Sequence, residues 1–364
     1  MQSPSSPYLA KLDHLRFLAA GLVVLFHTAL LAGAGRPQNP FSVAVVDQGH
    51  IGVQLFMVIS GFIMVTIVDG RCLEPRKFYL NRILRIYPLL VLIVSFGYLA
   101  TPDPRPSSTG IDYLLALLPI SNLYRLSYGA FGGQMWTVAV ELQFYLLFPL
   151  LLAFRHRYGG LSFFASVFGF AVALRAAQYM ANGTTHAFTF FTLFGNLDLF
   201  VAGMIVAEVY RSWEITKLTL SVWWSVAALA TLATIVAAIF SHAPFFHVDY
   251  QHVTGDGISR SGYWIIWPTL QAAMWGVFVL LYLRSSGCGA GAVVANFGKW
   301  SYSTYVWHVL VIEILKDKML WMPSYLFGAA VVLPVTLAVS YVSYTLIERP
   351  FLDLRSRYNP SGSA

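Results

Sequence analysis

Charge is what this 364-residue chain has least of: Asp, Glu, Lys and Arg together make up 11% of it, against about a quarter in an ordinary soluble domain. Cysteine is nearly absent. Cys72 and Cys288 form neither a disulfide framework nor a metal-ligand pattern. There is no evident repeat and no low-complexity segment. These absences exclude a disordered chain, a coiled coil, a collagen and nearly every soluble enzyme.

Apolar residues make up 57% and aromatics 16% of the chain, and the mean hydropathy is +0.65. Apolar runs of membrane-crossing length recur from residue 17 to residue 347, which predicts an all-α polytopic membrane protein. Ten spans are expected, near 12–33, 51–69, 80–100, 135–154, 160–180, 187–210, 218–240, 264–284, 294–315 and 323–347. The stretch 111–124 is too short to cross and contains Pro119, so it is expected to lie at the interface or to dip in and return. The ninth span is the weakest, diluted by Lys299, His308 and Glu313.

The net charge of +7 is read as a cytoplasmic excess of Lys and Arg rather than as a nucleic-acid surface. With the N-terminus inside, sixteen of the 23 basic residues fall at cytoplasmic ends, six outside, and Arg175 within a span. Both termini are therefore expected in the cytoplasm. Residues 1–350 are expected to form a single membrane domain, with 351–364 a short tail and no soluble domain. Lys11, Arg16 and the Ala32-Gly33-Ala34 run imitate a cleavable signal. The length of the run and His27 within it argue against cleavage.

Ionisable residues inside spans are costly and are functional hypotheses by default. Arg16 and His27 are 11 residues apart, three helical turns and a small remainder, so one face of the first span carries both. The rise between them is about 16 Å. A lone buried histidine is as readily a packing residue; the aligned arginine favours a polar track. Arg82 and Arg85 stand three apart where an inner loop is expected to enter the third span. They suit an anionic cytosolic ligand, or simply anchor the helix. Glu141, near the outer start of the fourth span, could steer a histidine, bind a sugar hydroxyl or pair with Arg175. Asp198, His308 and Glu313 raise the same question. Gly61 and Ser60 are expected to allow close helix packing.

Six stretches carry a resemblance. They are Leu12-Asp13-His14-Leu15-Arg16 with His27; Gly52 to Phe62; Arg82-x-x-Arg85-Ile86-Tyr87-Pro88; Trp136 to Tyr145; Ser301 to His308; and Ile347-Glu348-Arg349-Pro350. In this order they resemble the acyltransferase-3 family of integral membrane O-acyltransferases, and among its members the short ones that acetylate exopolysaccharide units, of the xanthan mannose O-acetyltransferase type. Gln54 and Leu142 stand where acidic residues are common in the family.

The resemblance implies a cytosolic acetyl-CoA or other acyl-CoA donor, no metal, and an acceptor hydroxyl on an extracytoplasmic carbohydrate, free or lipid-linked. It implies a bacterial inner-membrane location and no nucleic-acid partner. His27 becomes the catalytic residue, either a general base or the carrier of an acyl-imidazole. Glu141 is its catalytic companion, orienting the acceptor or steadying the imidazolium, with His308 as a substitute in that part. The donor- and substrate-binding set comprises Arg16, Arg82, Arg85, Asp13, Gln143, Tyr145 and His308. The competing class is a secondary transporter of a sugar, lipid or small acid, but no internal symmetry of the kind transporters show is visible.

Overall fold

The computed structural model describes residues 8–31, 49–68, 73–99, 110–123, 133–215, 220–242, 262–286, 291–318 and 323–356. Cys72, Cys288, Ala32-Gly33-Ala34 and most of the expected outer loops lie outside these residues. The described chain is helical apart from turns and one two-residue parallel pairing of β1 (Leu220–Ser221) with β2 (Ser285–Ser286). In order the helices are α1 (Ala10–Leu31), α2 (Ile51–Val68), α3 (Pro75–Leu99), α4 (Gly110–Ala116), α5 (Trp136–Tyr158), α6 (Gly160–Asn182), α7 (His186–Phe191), α8 (Leu197–Ile215), α9 (Val222–His242), α10 (Trp267–Arg284), α11 (Gly291–Lys299) and α12 (Ser301–Leu315). The last, α13, runs Ser324–Asp353.

Six helices among the described residues are long and apolar enough to cross a membrane: α1, α2, α3, α5 with the turn before it, α6 and α13. The chain is thus an all-α, multi-pass membrane protein. Leu, Ile, Val and Phe are left exposed along many helix faces, as a lipid solvent permits. The central helix is α2, almost wholly buried. Its Gly61 and the Gly203 of α8 let the two backbones touch: a Cβ on Gly61 would overlap the carbonyl oxygen of Phe200, and one on Gly203 that of Val58. The expected packing role thus holds for Gly61, but Ser60 donates instead to the Glu141 carboxylate.

Three expected boundaries need correction. The third span begins earlier, at Pro75, because proline is pre-organised for the first helical position. Arg82 and Arg85 therefore lie two to three turns inside α3 rather than at its mouth. The span expected over 187–210 is broken between α7 and α8. Asn196 donates its side-chain amide to the carbonyls of Thr189, Phe190 and Thr192. That satisfies the backbone groups freed at the end of α7. The span expected over 294–315 is broken at Trp300.

Of the segment 111–124, the described residues to 123 form the short α4 and a 3-10 turn at Ser121–Leu123. Gln143 on α5 clamps it, donating to Pro119 O (2.6 Å) and Asn122 Oδ1 (2.7 Å). In α13, π-turns at Gly328–Val332 and Tyr344–Glu348 each run just ahead of a proline, Pro334 and Pro350. The wide turns accommodate the hydrogen bond that each proline cannot make.

Candidate functional site

Around α2 the ends of α1, α3, α5, α12 and α13 leave a cavity of about 160 Å³. Four arginines line it: Arg16 from α1, Arg82 and Arg85 from α3, and Arg355 just past α13. Its acids are Asp13 and Glu141, and Tyr145, Tyr302, Phe56 and Tyr305 add aromatic wall. Asp13, Arg16, Arg82, Arg85, Glu141 and Tyr145 are thus brought together from three helices. Gln143 is not among them, being committed to the 117–123 segment.

The arginines differ in how fully they are satisfied. Arg16 is held by Asp13 one turn earlier, Nη1 to Oδ1 at 2.8 Å, the i,i+3 geometry that brings helix neighbours together. Arg85 is tied to Glu348 through Nη1 and lies over the Tyr302 ring. The other oxygen of Glu348 accepts from the Ser303 hydroxyl. Arg85 and the Ile347-Glu348-Arg349-Pro350 motif thus form one buried ion pair joining α3 to α13.

Arg82 has no carboxylate partner among the described residues. Its guanidinium sits over the rings of Tyr145 (5.5 Å) and Phe78 (5.8 Å), and its buried Nε makes no hydrogen bond. Burial, with the charges of Arg85 and Arg82, pushes Arg355 down to about 10. The cavity is a place of excess positive charge, which an anion relieves.

Glu141 accepts from the hydroxyls of Tyr145 and Ser60 (3.2 Å). It makes no hydrogen bond to His27. Nor does it pair with Arg175, whose carboxylate partner is Asp198 at 2.8 Å; that alternative is set aside.

His27 lies on α1 beyond the cavity. Its Nδ1 is 3.1 Å from Val23 O and 3.1 Å from Nε2 of His308. His308 is wholly buried on α12 and directs Nδ1 at Tyr305 O, 2.6 Å away. Tyr305 belongs to both regions: it lines the cavity, and its ring centroid is 5.6 Å from that of His308. Its hydroxyl donates to Gln134 O at 3.1 Å. Phe56 meets it edge-on. The cavity therefore ends at Phe56 and Tyr305, one ring short of the histidines. Of the polar track expected along α1, Arg16 lines the cavity and His27 does not.

The sequence offers His308 as a substitute for Glu141 and as a member of the substrate-binding set. Its contact with His27 carries no sequence signal, nor do the places of Arg355 and Glu348. Among the described residues no cluster of His, Cys, Asp and Glu suits a metal ion.

A family model described as an acyltransferase domain, Acyl_transf_3, matches residues 9–345. A protein of Komagataeibacter xylinus named as a membrane-bound transacylase, BcsY, is 28% identical over 370 residues, covering 95% of this chain and 83% of that protein. The O-acetyltransferase OatA of Staphylococcus aureus is 22% identical over 385 residues, covering 96% of this chain and 58% of that protein. No solved structure matches the chain.

Proposed function

The chain belongs to the acyltransferase-3 family of membrane O-acyltransferases, and from that premise we propose that it moves an acetyl group from cytosolic acetyl-CoA to a hydroxyl of an extracytoplasmic sugar. The acceptor is an exopolysaccharide or its lipid-linked repeat unit, as in the short xanthan-type members. The reading includes ten spans, both termini in the cytoplasm and a place in the bacterial inner membrane. The observation that carries it is the cavity lined by four arginines, of which Arg82 has no carboxylate partner among the described residues, with Tyr305 in its wall packed against a histidine pair.

The chemistry follows from the donor and acceptor types. Coenzyme A is polyanionic at its nucleotide end, and a guanidinium binds phosphate through charge-assisted hydrogen bonds. Arg82, with Arg16 and Arg355 nearby, supplies that charge, while Glu348 already occupies Arg85. The pantetheine arm is slender enough to pass the Phe56–Tyr305 closure once the rings turn aside. His27 then meets the thioester. As a general base it takes the hydroxyl proton while the oxygen bonds to the thioester carbon. The C–S bond breaks, and the thiolate leaves and recovers that proton. As a nucleophile it first carries the acetyl group and then yields it to the hydroxyl. Both routes need a free lone pair on the imidazole. Only the acetyl group changes sides of the membrane.

His27→Ala is the test. In a host whose surface glycan depends on this chain for acetylation, mass spectrometry is expected to find the acetyl groups gone while the variant still accumulates in the membrane. Positioned acid–base groups contribute about 10²–10⁴-fold. A glycan acetylated as in wild type would remove His27 from the mechanism.

A further inference from the structure

We propose that His308 is a positioning residue that sets the tautomer of His27 and shares the charge His27 acquires. The inference rests on the reading of His27 as base or nucleophile and adds a residue to it.

The direction of the protons follows from the acceptors. A backbone carbonyl can only accept. Tyr305 O lies 2.6 Å from Nδ1 of His308, so that nitrogen carries a hydrogen. In neutral His308 the Nε2 then holds the lone pair. It is 3.1 Å from Nδ1 of His27, which also faces Val23 O at 3.1 Å. With acceptors on both sides, Nδ1 of His27 must be the protonated nitrogen, its hydrogen shared in a three-centre bond. The lone pair of His27 is therefore on Nε2, for which no hydrogen bond is found among the described residues. That is the nitrogen left to take a proton or attack a thioester.

Val23 O and His308 do different work. Val23 lies on the same helix, so its carbonyl holds the proton without relating α1 to any other element. His308 comes from α12, one turn beyond Tyr305, and ties the imidazole plane to the helix that ends the cavity. A carbonyl also cannot accept a proton, whereas an imidazole can. When Nε2 of His27 gains the hydroxyl proton, its Nδ1 proton can move to Nε2 of His308. The positive charge then rests on His308, whose Nδ1–H already points at Tyr305 O. One N–H bond forms and one breaks, and the proton returns when the thiolate leaves. Holding the tautomer and orientation is the logic by which an orienting group supports a catalytic histidine; the proton transfer is an addition that a second imidazole, unlike a carboxylate that stays ionised, would bring.

Three variants separate this from packing. His308→Phe keeps the volume and removes the acceptor. His308→Gln puts an amide oxygen near the position of Nε2, restoring an acceptor that cannot take a proton. His27→Ala is the reference. With purified protein and radiolabelled acetyl-CoA, kcat is expected to fall about 100-fold in His308→Phe and about 10-fold in His308→Gln, with donor KM little changed. If His308→Phe matches wild type, or if Gln performs no better than Phe, the positioning role is overturned while the His27 reading stands. If His27→Ala stays active, both fall. Independently of activity and of the His308 variants, ¹⁵N NMR of histidine-labelled wild-type protein in detergent should show His27 protonated at Nδ1, assigned by its loss in a folded His27→Ala. The Nε2-protonated form would overturn the proposal.

Discussion

Two arginines set among the helices are treated in opposite ways. Arg175, fully buried on α6, has an acceptor for each of its three nitrogens. Its Nε donates to Ile265 O, Nη1 to Gly195 O, and Nη2 to Asp198 Oδ2 and Thr269 Oγ1, all within 2.7–2.8 Å. Those partners lie at the break between α7 and α8 and at the start of α10. The guanidinium thus supplies donors to Gly195 O within the break and to Ile265 O ahead of α10. Arg82 lines a cavity, rests on aromatic rings and keeps an unsatisfied Nε. A buried charge whose nitrogens are all engaged is part of the fold. One with donors unused and space in front of it is suited to a ligand. Sequence spacing does not separate these cases; the inventory of partners does.

The largest expected effect tests the saturated side. Arg175→Met leaves Asp198 buried without its counter-charge, which costs about 3–5 kcal/mol. Thermal unfolding of detergent-purified protein should register this as a large drop in midpoint. Arg82→Met, which strands no carboxylate, should stay within about 1 kcal/mol of wild type. Equal losses in the two would erase the distinction.

Next in size is the contrast inside one motif. Arg82→Ala is expected to raise KM for acetyl-CoA about 10–100-fold, the worth of one or two charge-assisted hydrogen bonds, with KM for the sugar acceptor unmoved. Arg85→Ala should instead lower the yield of folded protein, because Glu348 and Ser303 lose the cation that organises them. Initial-rate kinetics over both substrates decide it. A donor KM that rises as far for Arg85→Ala at normal stability would put Arg85 in the donor site as well.

The sequence announced the elements better than their partnerships. Apolar runs located the long helices, the small residue Gly61 marked a close crossing, and Asp13 with Arg16 was readable from their i,i+3 spacing. The apolar pattern does not mark the break at 192–196, because apolar residues continue on both sides of it, although Gly195-Asn196 is turn chemistry. Arg85 meets Glu348 across 263 residues of sequence, and His27 meets His308 across 281. No local period encodes such pairs. The two π-turns of α13 add to the difficulty, since each shifts the helical phase behind it, and Glu348 closes the second. Depth alone places Glu141 near the imidazole. The structure gives that neighbourhood to His308 and leaves Glu141 with Ser60 and Tyr145.

The smallest expected effect concerns the partition between the two regions. The hydroxyl of Tyr305 donates to Gln134 O and holds the ring across the end of the cavity, against Phe56 and near His308. Tyr305→Phe keeps the ring and removes that hydrogen bond, worth about 1 kcal/mol, which is about a fivefold rise in the fraction of time the ring is turned aside. If the ring separates donor from histidine, acetyl-CoA hydrolysis without acceptor should rise by about that factor, because water reaches the activated thioester more often. Donor KM should hold, since the arginines are untouched. Release of free thiol, followed with a chromogenic disulfide, measures it directly. Hydrolysis at the wild-type rate would mean that the ring does not stand between the two regions during turnover, and that the donor reaches His27 by a path the cavity does not mark.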